Sequence, residues 1–73
     1  MEKHSVIISG HSTSLSLEPE FWAELKAIAK DKQVSVATLI EQIDNIRTGN
    51  LSAAVRVYVL NFLKQKVVNN KKP

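Results

Sequence analysis

The stretch His11-Ser12-Thr13-Ser14-Leu15-Ser16-Leu17-Glu18-Pro19-Glu20-Phe21-Trp22 decides how the rest of the chain is read. From Ser12 to Leu17 small polar residues alternate with larger ones, and a period of two is the mark of a strand with unlike faces. Successive side chains on a strand point to opposite sides. Thr13, Leu15 and Leu17 therefore form a face fit for a core, and Ser12, Ser14 and Ser16 form a row of hydroxyls on the other. Upstream, Val6, Ile7 and Ile8 are consecutive, so a strand there is either covered on both faces or separated from the second half by a bulge at Gly10.

Glu18-Pro19-Glu20 then opens a helix: Pro suits a first turn and the acids suit the positive end of the helix dipole. Phe21, Trp22, Leu25, Ile28 and Ala29 follow at offsets 0, 1, 4, 7 and 8, an amphipathic stripe that predicts a helix over roughly 18–32. Gln33-Val34 make a turn. Ser35 is a fitting N-cap for a second helix over roughly 35–47, with its stripe on Val36, Leu39, Ile40, Ile43 and Ile46. Gly49 ends that helix and Ser52 caps a third, running to about Lys66. This third helix is apolar most of the way round, from Ala53 and Val55 through Val57, Tyr58, Val59, Leu60, Phe62 and Leu63. Such a helix expects burial on several sides. Residues 1–68 form one domain, and 69–73 are expected to be a disordered basic tail.

The chain has 73 residues, 44% of them apolar and only four aromatic: Phe21, Trp22, Tyr58 and Phe62. A chain this short buries only ~60% of the surface its unfolded form exposes. With no Cys, neither a disulfide nor a thiolate metal site can reinforce it, and His4 and His11 alone do not make a ligand set. Association with another chain is the remaining ordinary route. A single short strand ahead of helices asks for the same thing, because a ribbon made by two chains would settle both its open edge and the small core.

Catalytic chemistry has little to work with. No acid stands where it could orient either His, and the two glycines, Gly10 and Gly49, do not make a phosphate loop. The sequence reads as a non-enzyme without a cofactor or small-molecule substrate. No run is long and apolar enough for a membrane span or the core of a signal peptide, so a cytoplasmic protein is expected. The net charge of +3 is unevenly placed. Residues 1–44 hold Lys3, Lys26, Lys30 and Lys32 against all seven acids, or −3; residues 45–73 hold Arg47, Arg56, Lys64, Lys66, Lys71 and Lys72 with no acid, or +6. A basic end suits phosphate, with Lys71 and Lys72 as contacting arms.

A two-stranded ribbon fits the DNA major groove, where Ser can donate to or accept from base edges. At this point the sequence resembles the ribbon-helix-helix family of bacterial DNA-binding proteins. The resemblance rests on the alternating strand closed by Leu17, Pro19 at the start of the first helix, and Ser35 opening the second 18 residues after Leu17. His11 to Trp22, together with Gly49-Asn50-Leu51-Ser52-Ala53-Ala54-Val55-Arg56-Val57, is similar to a small bacterial subfamily with such a domain. The resemblance implies a mainly α fold with one N-terminal β-strand that pairs between the two chains of a homodimer, and here an additional C-terminal helix. It also implies a transcriptional regulator on double-stranded DNA, base contacts from Ser12, Ser14 and Ser16, and a phosphate at the backbone of Ser35 and Val36. Family members usually carry Arg, Lys, Asn or Gln on the reading face, so three Ser give shorter reach. A dimerisation or adaptor module for a protein partner, docked along the third helix, is the alternative.

Overall fold

The computed structural model describes residues 1–47 and 49–70, the last three of these by backbone alone. Two strands come first, β1 (Glu2–Ile8) and β2 (His11–Leu17), followed by α1 (Pro19–Asp31), α2 (Val36–Ile46) and α3 (Leu51–Asn70). The mainly α architecture, the ribbon at the N-terminus and the third helix agree with the sequence reading. The strand count does not. β1 pairs antiparallel with β2 inside the chain, from Glu2 opposite Leu17 to Ile8 opposite His11. An in-chain partner thus fills one edge of β2, and the inference of a dimer from a lone strand no longer holds.

The physical reason is the turn. Ser9 and Gly10 are the only residues between Ile8 and His11, with φ of 51° and 81°. Two central residues with positive φ give the hairpin turn whose twist matches that of the flanking strands. Gly10 is the hinge of this hairpin rather than a bulge within one strand.

Because directly opposed residues share a face, Leu15, Leu17, Thr13, Val6 and Ile8 point one way. Leu15 and Leu17 are fully buried, and Ile8 nearly so. They meet Trp22, Leu25, Ile28 and Ala29 of α1, Leu39, Ile40 and Ile43 of α2, and Leu51, Val55 and Val59 of α3 in one core cluster. Tyr58, Phe21 and Val36 are half-buried at its margin.

The helix ends explain the connections. The Glu18 carbonyl accepts from the amides of Phe21 (2.9 Å) and Trp22 (3.1 Å), and Pro19 opens α1. At its other end Val34 N–H donates to Ala29 O (3.0 Å) and Gln33 N–H to Lys30 O (3.1 Å), with Gln33 at φ 60°. This is a Schellman stop, with a left-handed residue in the place Gly usually takes. Ser35 caps α2, its Oγ accepting from Thr38 N–H at 3.0 Å. For α3 the cap is Asn50, whose Oδ1 accepts from Ala53 N–H at 3.2 Å, and the expected cap Ser52 lies one residue inside the helix.

Two further expectations shift. Ile46 was expected on the buried stripe of α2 and is 75% exposed, because it is the last residue of the helix and projects past the core. α3 runs on through Asn70, and only one of its sides is covered among the described residues. Val57, Leu60 and Val67 lie on the face opposite the core, each more than half exposed. Lys71 and Lys72, expected as phosphate-contacting arms, lie outside the described residues.

Gly10→Ala should cost about 1–2 kcal/mol, from the left-handed φ alone, since a Cβ there meets nothing within 4 Å. Gln33→Gly should stabilise the fold by about 0.5–1 kcal/mol by relieving the same strain. Urea unfolding of the two variants checks both signs.

Candidate nucleic-acid interface

The hairpin register decides what the ribbon offers to solvent. Ser12 stands opposite Ile7, Ser14 opposite Ser5 and Ser16 opposite Lys3, so these six share the face turned away from the core. Ser12 and Ser14 are exposed, as are Lys3, Ser5 and Ile7, while Ser16 is half-buried. The face therefore carries hydroxyls, one cation, the exposed Ile7 and no acid. The three Ser that the alternation of β2 singled out are brought together here. Lys3, Ser5 and Ile7 were missed, and the signal that could have found them is Ser9-Gly10 read as a two-residue turn joining two strands.

The N-terminus of α2 lies to the side of this ribbon. The Ser35 hydroxyl is occupied, accepting from Thr38 N–H and donating to Thr38 Oγ1 at 2.8 Å. The amides of Val36 and Ala37 belong to the first turn, which has no intrahelical acceptor, and they carry the positive end of the helix dipole. Val36 and Ala37 border a cleft of about 260 Å³ whose other walls include Glu2, His4, Ser5, Trp22 and Lys26. His4 packs against Trp22 with centroids 4.1 Å apart and the rings tilted by 52°, and its Nε2 lies 3.2 Å from Glu2 Oε1. Among the described residues no group of three His, Cys, Asp or Glu could hold a metal ion. No described helix is long and apolar enough to cross a membrane.

Each helix ties the ribbon at a different point. Trp22 Nε1–H of α1 donates to the Glu2 carbonyl at the start of β1 (3.3 Å). Glu41 of α2 accepts from Ser9 N–H (2.9 Å) and Ser9 Oγ–H (3.0 Å) at the hairpin tip. Arg56 of α3 donates from Nε to Glu18 Oε1 (2.9 Å), just past the end of β2. These ties hold a small ribbon, polar on its outer face, on a three-helix base.

A family model described as a ribbon-helix-helix domain matches residues 1–63. The chain belongs to the ribbon-helix-helix domain family. The match takes in the ribbon, α1, α2 and most of α3. Ribbon-helix-helix domains are typically DNA-binding regulatory modules, and they typically act as homodimers. No curated protein and no solved structure matches this member of the family.

The Glu18 carboxyl is held below its ordinary value of 4.5, first by its own backbone amide and then by Arg56. A lowered carboxyl contributes stability that is present above the unfolded value and is lost as pH falls through the folded one. Stability should therefore decline as pH falls below about 4.5, and Glu18→Gln should flatten that part of the profile. Thermal melts from pH 6 to pH 2.5 check it; identical slopes in both proteins would rule the contribution out.

Proposed function

We propose that this protein is a cytoplasmic DNA-binding transcriptional regulator that acts as a homodimer and reads the major groove with the outer face of its ribbon. The observation that carries the reading is that face itself: Ser12, Ser14 and Ser16, flanked by Ser5 and Lys3, with no acid among them. A ribbon enters the major groove as a unit, and hydroxyls there meet base edges. Three Ser give shorter contacts than bidentate Arg, so discrimination at each position is at most about 1–3 kcal/mol. Affinity then falls mainly to phosphate contacts. The Ser35 and Val36 backbone at the start of α2 suits one phosphate, and Val36 shares a cleft with Lys26, His4 and Glu2. Lys3 on the ribbon adds a second point, and Lys71 and Lys72 supply charge from the C-terminal end.

The homodimer is supported by the open outer edges of a sheet of only two strands, which is a template for pairing with a second copy. On this reading β2 pairs with β2 of the second copy, and those two central strands are the ribbon that enters the groove. One observation favours the alternative of a protein-binding adaptor: a groove of about 360 Å³ between α2 and α3, with Ile43, Ile46, Ala53, Val57 and Tyr58 among its walls.

Random-sequence duplex at low salt separates the two. The DNA reading expects binding with a steep fall of log affinity against log salt, each phosphate contact adding about 0.9 to the slope. Lys3→Ala removes one cation per chain and should make the slope shallower by up to ~1.8 per dimer; deletion of 71–73 should do so by up to ~3.6. Neither change should alter sequence preference, since phosphate contacts position without specifying. No binding to duplex at low salt would leave the adaptor reading.

A further inference from the structure

We infer that Glu41 is a positioning residue for base readout, because its carboxylate locks the tip of the ribbon to the helix whose first turn faces the DNA backbone. The inference rests on the DNA-binding reading above. Both hydrogens that Ser9 offers go to the same oxygen, Glu41 Oε2, at 2.9 Å from the amide and 3.0 Å from the hydroxyl. Hydrogen bonds to a charged acceptor are about twice as strong as neutral ones. They are placed where the backbone most needs them, at a non-glycine residue held at φ 51° in a two-residue turn. Without them Ser9 keeps the strain and loses its partner.

The consequence lies on either side of the tie. Ser12, the first outward residue of β2, is three residues from Ser9, and Ile7, opposite Ser12, is two away. On the helix side, Glu41 is five residues into α2 from Val36, about 8 Å along the axis at 1.5 Å per residue. Two contacts of different kinds are thereby fixed at one spacing: base edges by the ribbon, and a phosphate by the start of α2. Phosphate contacts set the register in which base contacts are tried. A ribbon tip held to α2 only by the packing of Ile8 would still meet phosphate and would present its hydroxyls to base edges less uniformly. Glu41 touches no DNA in this arrangement. Its negative charge works against bulk affinity, so what it contributes is discrimination.

Two substitutions separate charge from geometry. Glu41→Ala and Glu41→Gln both remove the charge, but only Gln keeps an oxygen able to accept from Ser9. The probe is a library of duplexes with a randomised central segment, selected on each protein and sequenced, with bulk affinity read on unselected duplex and folding read by thermal melting. Both variants should bind unselected duplex more tightly than the wild-type chain. Glu41→Ala should lose roughly tenfold in enrichment of the selected motif over unselected duplex, the scale of one charge-assisted hydrogen bond. Glu41→Gln should retain most of the enrichment. Ser9→Ala keeps the amide donor and loses the hydroxyl, so it should fall between the two and serves as the probe if Glu41→Ala melts early.

Equal enrichment of the same motif by Glu41→Ala, Ser9→Ala and the wild-type chain would overturn the role of Glu41 and leave the DNA reading standing. Failure of the wild-type chain to enrich any motif would overturn that reading and this inference with it.

Discussion

Everything in this domain depends on the burial of Leu15 and Leu17. Both are wholly removed from solvent, on one face of a strand of seven residues. Removing a Leu side chain from water contributes roughly 1.5–3 kcal/mol, and a slip of one residue would exchange these two for serines. The same constraint that fixes the register of β2 therefore fixes which hydroxyls face outward. Stability and the presentation of the outer hydroxyl face are a single choice of phase.

β1 extends that choice to a second row. Its partner positions inherit the phase of β2, so Lys3 and Ser5 stand outward because Ser16 and Ser14 do. The helices then hold the ribbon at three separate points: its start through Trp22, its tip through Glu41 and its end through Arg56. A two-stranded ribbon is marginal in isolation. Packed on a shared core and tied to each helix, it becomes a defined surface. The basic character of α3 fits this scheme, since Arg56 is engaged with Glu18 and Lys64 and Lys66 stay exposed.

Much of this was legible in the sequence because the signals were local. The alternation of Ser12 to Leu17, Pro19 in a first turn and Ser35 as a cap each act within a few residues, and all three were read correctly. β1 was not legible in the same way. Val6-Ile7-Ile8 breaks the alternation, since Ile7 sits 63% exposed on the outer face while its neighbours turn inward. Its turn also begins with Ser rather than the Asn or Asp that usually marks a two-residue hairpin. With β1 unread, Lys3 could not be placed beside the serines. The cap at Asn50 was passed over because Ser52 offered the same chemistry two residues later. Ile46 has the spacing of a core residue, but whether the final residue of a helix reaches the core is set by where the next helix turns. The tie from Glu41 to Ser9 spans 32 positions and left no mark in the local pattern.

The central claim, that one alternation divides core from reading face, can be tested by single-cysteine labelling, because the chain has no cysteine of its own. Thiol reactivity follows exposure. In the folded protein Ser14→Cys should react nearly as fast as a free thiol and become protected when saturating duplex DNA is added, while Leu15→Cys, if folded, should react only at the rate of global unfolding with or without DNA. Equal reactivity at positions 14 and 15 would contradict the assigned faces, and a Ser14→Cys thiol that stays fully reactive on a bound duplex would contradict the assignment of that face to DNA.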